Sequence, residues 1–178
     1  EFLFAFLEQV LTLIHREGKQ SVSLCAEWLH GKAAYRKGQP EMIHRALGLS
    51  KLDNPHVVDA TVGLGRDTVV LANLGASVTA IERSPYVFEL LSDAWTRALA
   101  DDQGQIWAEK ITLLQQDATV ALGEIARMRP VDAVFVDPMY PEKSKKALAK
   151  KDMRMFQRLL GHSPHHERYG VPCSQGQN

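Results

Sequence analysis

Val57-Val58-Asp59-Ala60-Thr61-Val62-Gly63-Leu64-Gly65-Arg66-Asp67 and Glu82 hold the residues whose types and spacing could do chemistry. Two valines read as a buried strand, and Asp59 stands where that strand ends. Gly63 and Gly65 let the backbone turn sharply and approach a ligand with no Cβ in the way. Glu82 lies nineteen residues after Gly63, at the end of a second apolar run, Ser77 to Glu82. In nucleoside-binding α/β folds an acid about 20 residues past the glycine loop bonds the ribose hydroxyls. A carboxylate suits that task because its two oxygens accept from two adjacent hydroxyls. The plain alternatives are a strand-turn-helix junction and a surface glutamate. Position 68, where a dinucleotide fingerprint has its third glycine, is Thr68, which disfavours a dehydrogenase.

The pattern D-A-x-x-G-x-G-R-D resembles motif I of class I S-adenosylmethionine (SAM) methyltransferases, in which the loop wraps the amino-acid part of the cofactor. A second site follows the apolar run Val131 to Val136. There Asp137-Pro138-Met139-Tyr140-Pro141 resembles the D/N-P-P-Y/F motif of methyltransferases that modify amino groups on planar systems. Met139 stands where that motif has its second proline. Such an amino group is a poor nucleophile, because its lone pair is delocalised into the ring. The resemblance therefore implies that Asp137 and the Pro138 carbonyl orient the amine while Tyr140 stacks on the base. Acceleration then comes from positioning more than from a strong base.

Around these sites the chain alternates strand and helix signals. Residues 10 to 25 read as a β-hairpin turning at Arg16 to Gln20. Pro40 opens a short helix through Leu47, with Gly48 just past its end. Thr68 to Leu74 show helical spacing, with Gly75 as a stop. Ser84-Pro85 is an N-cap and first helical position, and Val87 to Leu99 carry one apolar face. Asp101 to Gly104 reads as a loop. Ile111 to Leu114 is a third parallel strand. Asp117 then has two readings that can hold together: N-cap of a helix from Thr119 to Met128, or, as in SAM enzymes it resembles, a partner of the adenine amino group. The fold class expected is α/β: a Rossmann-like class I SAM methyltransferase sheet flanked by helices, with a small N-terminal β-hairpin extension.

Two basic stretches flank this core. His30 to Gly38 includes Lys32, Tyr35, Arg36 and Lys37, a mixture suited to phosphate and a stacked base. Lys143, Lys145, Lys146, Lys150 and Lys151, with Arg154 beyond, directly follow the Asp137 turn, where an extended anionic substrate needs positive charge. The bland reading of either is a solvated connector or face.

The 178 residues contain 45% hydrophobic side chains and carry a formal net charge of zero, a globular composition with a sizeable core. Cys25 and Cys173 match no metal or redox spacing, so a reducing, cytoplasmic setting is expected. The apolar start Phe2 to Leu7 is too short to span a membrane and lacks signal-peptide features. His162, His165 and His166 have no partner at a convincing metal spacing, and residues 162–178 read as a tail. The domain boundaries expected are 1–50 for the hairpin and connector, 51–161 for the core and 162–178 for the tail.

Together D-A-T-V-G-L-G-R-D, I-E-R-S-P, D-P-M-Y-P and K-S-K-K-A-L-A-K-K-D-M-R-M-F-Q closely resemble the bacterial ribosomal RNA small-subunit methyltransferase J family. That resemblance implies methyl transfer from SAM to the exocyclic N2 of one guanine in 16S rRNA, on the RNA or the small subunit. It implies cofactor positions at Arg66, Asp67, Glu82, Arg83, Asp117, Ala118 and Asp137, the last touching both cofactor and target. It adds these to Asp59, Gly63 and Gly65 of the loop. Two departures stand out. Lys37-Gly38-Gln39-Pro40 is abrupt where the family has a longer Gly/Arg-rich run. Only four parallel strands are found before position 161, so the C-terminal strands of a seven-stranded sheet are expected to be missing or out of view. Other acceptors (DNA, protein, a small amine) and a non-catalytic RNA- or nucleoside-binding scaffold remain open alternatives.

Overall fold

In a computed structural model the described residues are 1–18, 20–30 and 40–137, together with Met155 and Leu159. Contacts divide the chain into two compact units, Glu1–Tyr140 and Pro141–Asn178. In the second, Met155 and Leu159 are both helical and Met155 is buried.

The first unit contains two sheets. The N-terminal sheet is an antiparallel meander of β1 (Phe2–Leu7), β2 (Val10–Glu17) and β3 (Gln20–Leu24). The expected hairpin is β2–β3, and β1 extends it. Glu8 and Gln9 connect β1 to β2 with φ of 49° and 66°. Two positive φ angles are what a tight hairpin turn needs, but Asn-Gly is its usual sequence. Glu-Gln carries no such signal, which is why β1 is not legible beforehand.

Helix α1 (Pro40–Ala46) and a 3-10 turn (Leu49–Lys51) lead to the second sheet. Its strands are β4 (His56–Asp59), β5 (Ser77–Glu82), β6 (Ile111–Gln115) and β7 (Ala133–Phe135), all parallel, in the order β6-β5-β4-β7. Helices α2 (Arg66–Asn73), α3 (Pro85–Leu99), α4 (Asp102–Gln105) and α5 (Ala118–Met128) connect them. Where a loop was expected at Asp101 to Gly104, the short α4 forms, with Asp102 in its first turn. β7 is shorter than the apolar run Val131 to Val136.

Both Val57 and Val58 are fully buried, so both faces of β4 are covered. This matches an apolar run without alternation. On one face Val58 and Ile81 pack with Ala121 and Ile125 of α5, with Leu114, Leu122 and Val131 around them. Burying the Val58 and Ile81 side chains contributes roughly 1.5–3 kcal/mol each. Ser84 caps α3 by accepting from the Val87 N–H at 3.4 Å, with Pro85 at the first helical position, as its sequence predicts. The chain runs outward from β4 to β5 and β6, then returns to the other side of β4 for β7. The direction of winding therefore reverses between β4 and β7, where parallel sheets open a crevice at their C-terminal ends.

Candidate functional site

At that crevice the exit of β4 becomes a tight turn. The Ala60 N–H donates to the Phe135 carbonyl of β7 at 2.9 Å, and the Gly65 N–H to the Val62 carbonyl at 2.9 Å. Gly63 and Gly65 both have positive φ, 57° and 76°. Their missing side chains face different surroundings. Among the described residues a Cβ on Gly63 would meet only the Thr61 carbonyl, at 4.0 Å, so they leave this face of the turn open. A Cβ on Gly65 would lie 2.6 Å from the Trp28 ring. Gly63 thus leaves room for a ligand, and Gly65 leaves room for the protein.

Asp59 and Glu82 flank the turn in different states. Asp59 is buried, and its carboxylate accepts from the Thr68 hydroxyl at 2.6 Å and the Thr61 N–H at 3.1 Å. Burial pushes its carboxyl up to about 6; those two bonds oppose the shift, and the nearby charges of Asp67 and Glu82 add to it. Thr68 therefore fills the position of the absent third glycine with a hydroxyl that the buried acid uses. Glu82 is half-buried at the end of β5. One of its oxygens accepts from the Ser84 N–H at 2.8 Å, the other from the Gly63 N–H at 3.3 Å. Burial raises its pKa, while the bonds from Ser84 and Gly63 and the Arg83 charge work against the rise. Each oxygen keeps acceptor capacity for a further donor. Arg66 and Asp67 are half-buried in the first turn of α2, and Arg83 is exposed.

The exits of the outer strands close on the same place. The Gln116 N–H after β6 donates to the Glu82 carbonyl at 3.1 Å. Asp117 is exposed and caps α5, accepting from the Thr119 N–H at 2.9 Å and its hydroxyl at 2.6 Å. Ala118 is half-buried at the start of that helix. Across the crevice Asp137 is exposed, and its N–H donates to the Thr61 hydroxyl at 2.7 Å. Asp59, Thr61 and Asp137 are therefore linked in series across β4 and β7. Pro138, Tyr140, Tyr35, Arg36, Lys143, Lys145, Lys146, Lys150, Lys151 and Arg154 lie outside the described residues.

Three residues escaped the sequence reading. Thr61 and Thr68 stood inside a recognised stretch, yet nothing in their spacing marks what their hydroxyls bond. Trp28 stands apart in sequence. Its indole N–H donates to the Leu64 carbonyl at 3.0 Å in the buried interior. Only the tertiary fold brings it under the turn. Among the described residues no three or more His, Cys, Asp or Glu side chains are grouped to hold a metal ion. No described helix is long and apolar enough to cross a membrane.

Residues 1–169 match a family described as "Putative SAM-dependent methyltransferase". The chain is 40% identical over 165 residues to a ribosomal RNA small subunit methyltransferase J from Shewanella loihica, covering 90% of this chain and 63% of that protein. It is 39% identical over 168 residues to the protein of the same name from Shewanella pealeana, covering 90% and 66%. The chain thus spans less than two thirds of the length of these relatives. Among solved structures it is similar to a SAM-dependent methyltransferase from Neisseria gonorrhoeae, with a TM-score of 0.63 and 35% identity. That match covers 86% of this chain and 58% of the other.

Proposed function

This chain belongs to the SAM-dependent methyltransferase family, and from that premise we propose that it transfers a methyl group to the exocyclic N2 of a guanine in 16S rRNA, in the cytoplasm. The acceptor rests on the names of its relatives and on the Asp137 turn. The observation that carries the cofactor reading is the Glu82 carboxylate, held by the Gly63 and Ser84 N–H groups beside a backbone turn open at Gly63. The donor set and the open face fit a nucleoside bearing an amino-acid arm.

When bound, SAM supplies an electrophilic methyl on a sulfonium. In the proposed arrangement Glu82 accepts from the ribose hydroxyls. Asp117 and Ala118 stand on the adenine side, and Gly63, Arg66, Asp67 and Arg83 border the remainder. Asp59, being buried, acts through the shape of the turn. Asp137 and the Pro138 carbonyl accept hydrogen bonds from the guanine amine and aim its nitrogen at the methyl carbon. Tyr140 stacks on the base. Catalysis on this reading is chiefly orientation: the amine nitrogen would gain the methyl as the methyl–sulfur bond breaks, with S-adenosylhomocysteine as leaving group and one amine proton released to solvent. Tyr35, Arg36, Lys143, Lys145, Lys146, Lys150, Lys151 and Arg154 contact the RNA, mostly at phosphates.

The test is calorimetric titration of the chain with SAM and S-adenosylhomocysteine, followed by transfer of labelled methyl to 16S rRNA and small subunits. Wild type is expected to bind SAM, Glu82→Ala to lose that binding, and Asp137→Ala to abolish transfer. A folded wild type that binds no SAM overturns the cofactor reading. Binding with label reaching DNA, protein or small amines instead overturns the acceptor.

A further inference from the structure

The three tryptophans of the chain form one cluster. The Trp28 ring lies 5.7 Å from Trp95 and 6.3 Å from Trp107, centroid to centroid. Trp28 is buried to within 1% of full coverage. Its ring fills the space where Gly65 lacks a side chain, and its indole N–H holds the Leu64 carbonyl. It thus grips both the second glycine of the turn and the residue before it.

The segment carrying Trp28 is itself clamped to α3. The Arg97 guanidinium donates to the Ala26 carbonyl at 2.7 Å, to the Glu27 carboxylate at 2.7 Å and to Asp93 at 2.9 Å. Asp93 also accepts from the Leu11 N–H of β2 at 3.2 Å. The other Glu27 oxygen accepts from the Leu29 N–H at 3.0 Å, just past Trp28. The ties from this part of the turn to β5 are longer: 3.3 Å from the Gly63 N–H to Glu82, and 3.5 Å from the Val62 N–H to the Ile81 carbonyl.

We infer that Trp28, anchored through Arg97, is a positioning residue for the glycine turn, so that a segment outside the parallel sheet sets the affinity for SAM. This rests on the proposed cofactor reading. Preorganising a backbone that must match a ligand raises affinity by removing an ordering cost. Trp28 achieves this by holding a carbonyl and a φ-positive glycine from beneath, without touching the ligand.

The experiment compares Trp28→Phe with Trp107→Phe. Both remove one indole from the same cluster, but the Trp107 N–H bonds Asn73 at 2.8 Å, away from the turn. SAM dissociation constants are measured well below each variant's own Tm, where a purely structural role leaves the folded protein's affinity intact. Trp28→Phe is expected to weaken SAM binding about tenfold, the factor matching one lost buried hydrogen bond, and Trp107→Phe to leave it unchanged. Arg97→Met, with no contact to the turn, is expected to weaken binding in the same direction. Amide hydrogen exchange without SAM provides a second readout: Trp28→Phe speeds exchange at Gly65, and Trp107→Phe does not. Equal SAM affinity in wild type and Trp28→Phe, or equal loss in both tryptophan variants, overturns the inference. A wild type that binds no SAM fails the cofactor reading, and the exchange comparison then still decides whether Trp28 holds the turn.

Discussion

Asp59 illustrates how one residue's chemistry follows from its burial. Its carboxyl sits at about 6, against 3.8 when solvated. The unfolded chain releases this proton near pH 4 and the folded chain only near pH 6. Between those values the unfolded state binds fewer protons, so this site makes stability fall as pH rises from about 4 to about 6. Two pKa units correspond to about 3 kcal/mol. Asp59→Asn keeps an oxygen for the Thr61 N–H and offers its amide to the Thr68 hydroxyl. We expect the variant's Tm to exceed that of wild type at pH 8, with the difference vanishing below about pH 4. Parallel Tm curves for the two proteins across this range would show that Asp59 does not titrate as its burial demands. Glu82 differs because β5 delivers it to a half-buried strand end, where its oxygens meet the protein's own Gly63 and Ser84 N–H groups.

At the scale of elements, the decisive contact joins β4 to β7. The Thr61 hydroxyl accepts the Asp137 N–H, while its own N–H donates to Asp59. The exit of one strand therefore holds the exit of its neighbour. Thr61→Val preserves the shape and leaves the Asp137 N–H without that acceptor. Methyl transfer is expected to slow about tenfold, in line with one hydrogen bond, while SAM affinity stays near wild type. Unchanged turnover would remove Thr61 from the alignment of Asp137. The helices were more legible than this contact. Ser84-Pro85 and Asp117 announce helix starts because capping is satisfied within three residues of chain. β1 was not legible, because its turn uses Glu8 and Gln9 in place of residues that favour positive φ.

Across the whole molecule the net charge is zero, so attraction to a polyanion has to come from local clusters such as Lys143 to Lys151. If Lys145 and Lys146 each meet a phosphate, replacing both with alanine lowers 16S rRNA affinity and flattens its log–log dependence on salt by about 1.4, roughly 0.7 per contact. Filter-binding at several salt concentrations measures this, and an unaltered slope would place these lysines away from the RNA. The N-terminal sheet takes its place in the molecule through side chains of α3: Asp93 reaches β2, and Arg97 reaches the segment after β3.

What the sequence by itself determined is local. The two-glycine turn, the acid at the end of the next strand, the capped helices and the buried parallel strands are set by φ preference, capping and apolar patterning within a few residues. Those properties depend on neighbours along the chain, so they can be read there. The tertiary structure alone decided the order β6-β5-β4-β7, and with it the meeting of Thr61 and Asp137 across 76 positions. It also brought Trp28 beneath Gly65 and hid Asp59 from water. These depend on which faces bury together, and close packing is a property of the whole core that no single stretch of sequence carries.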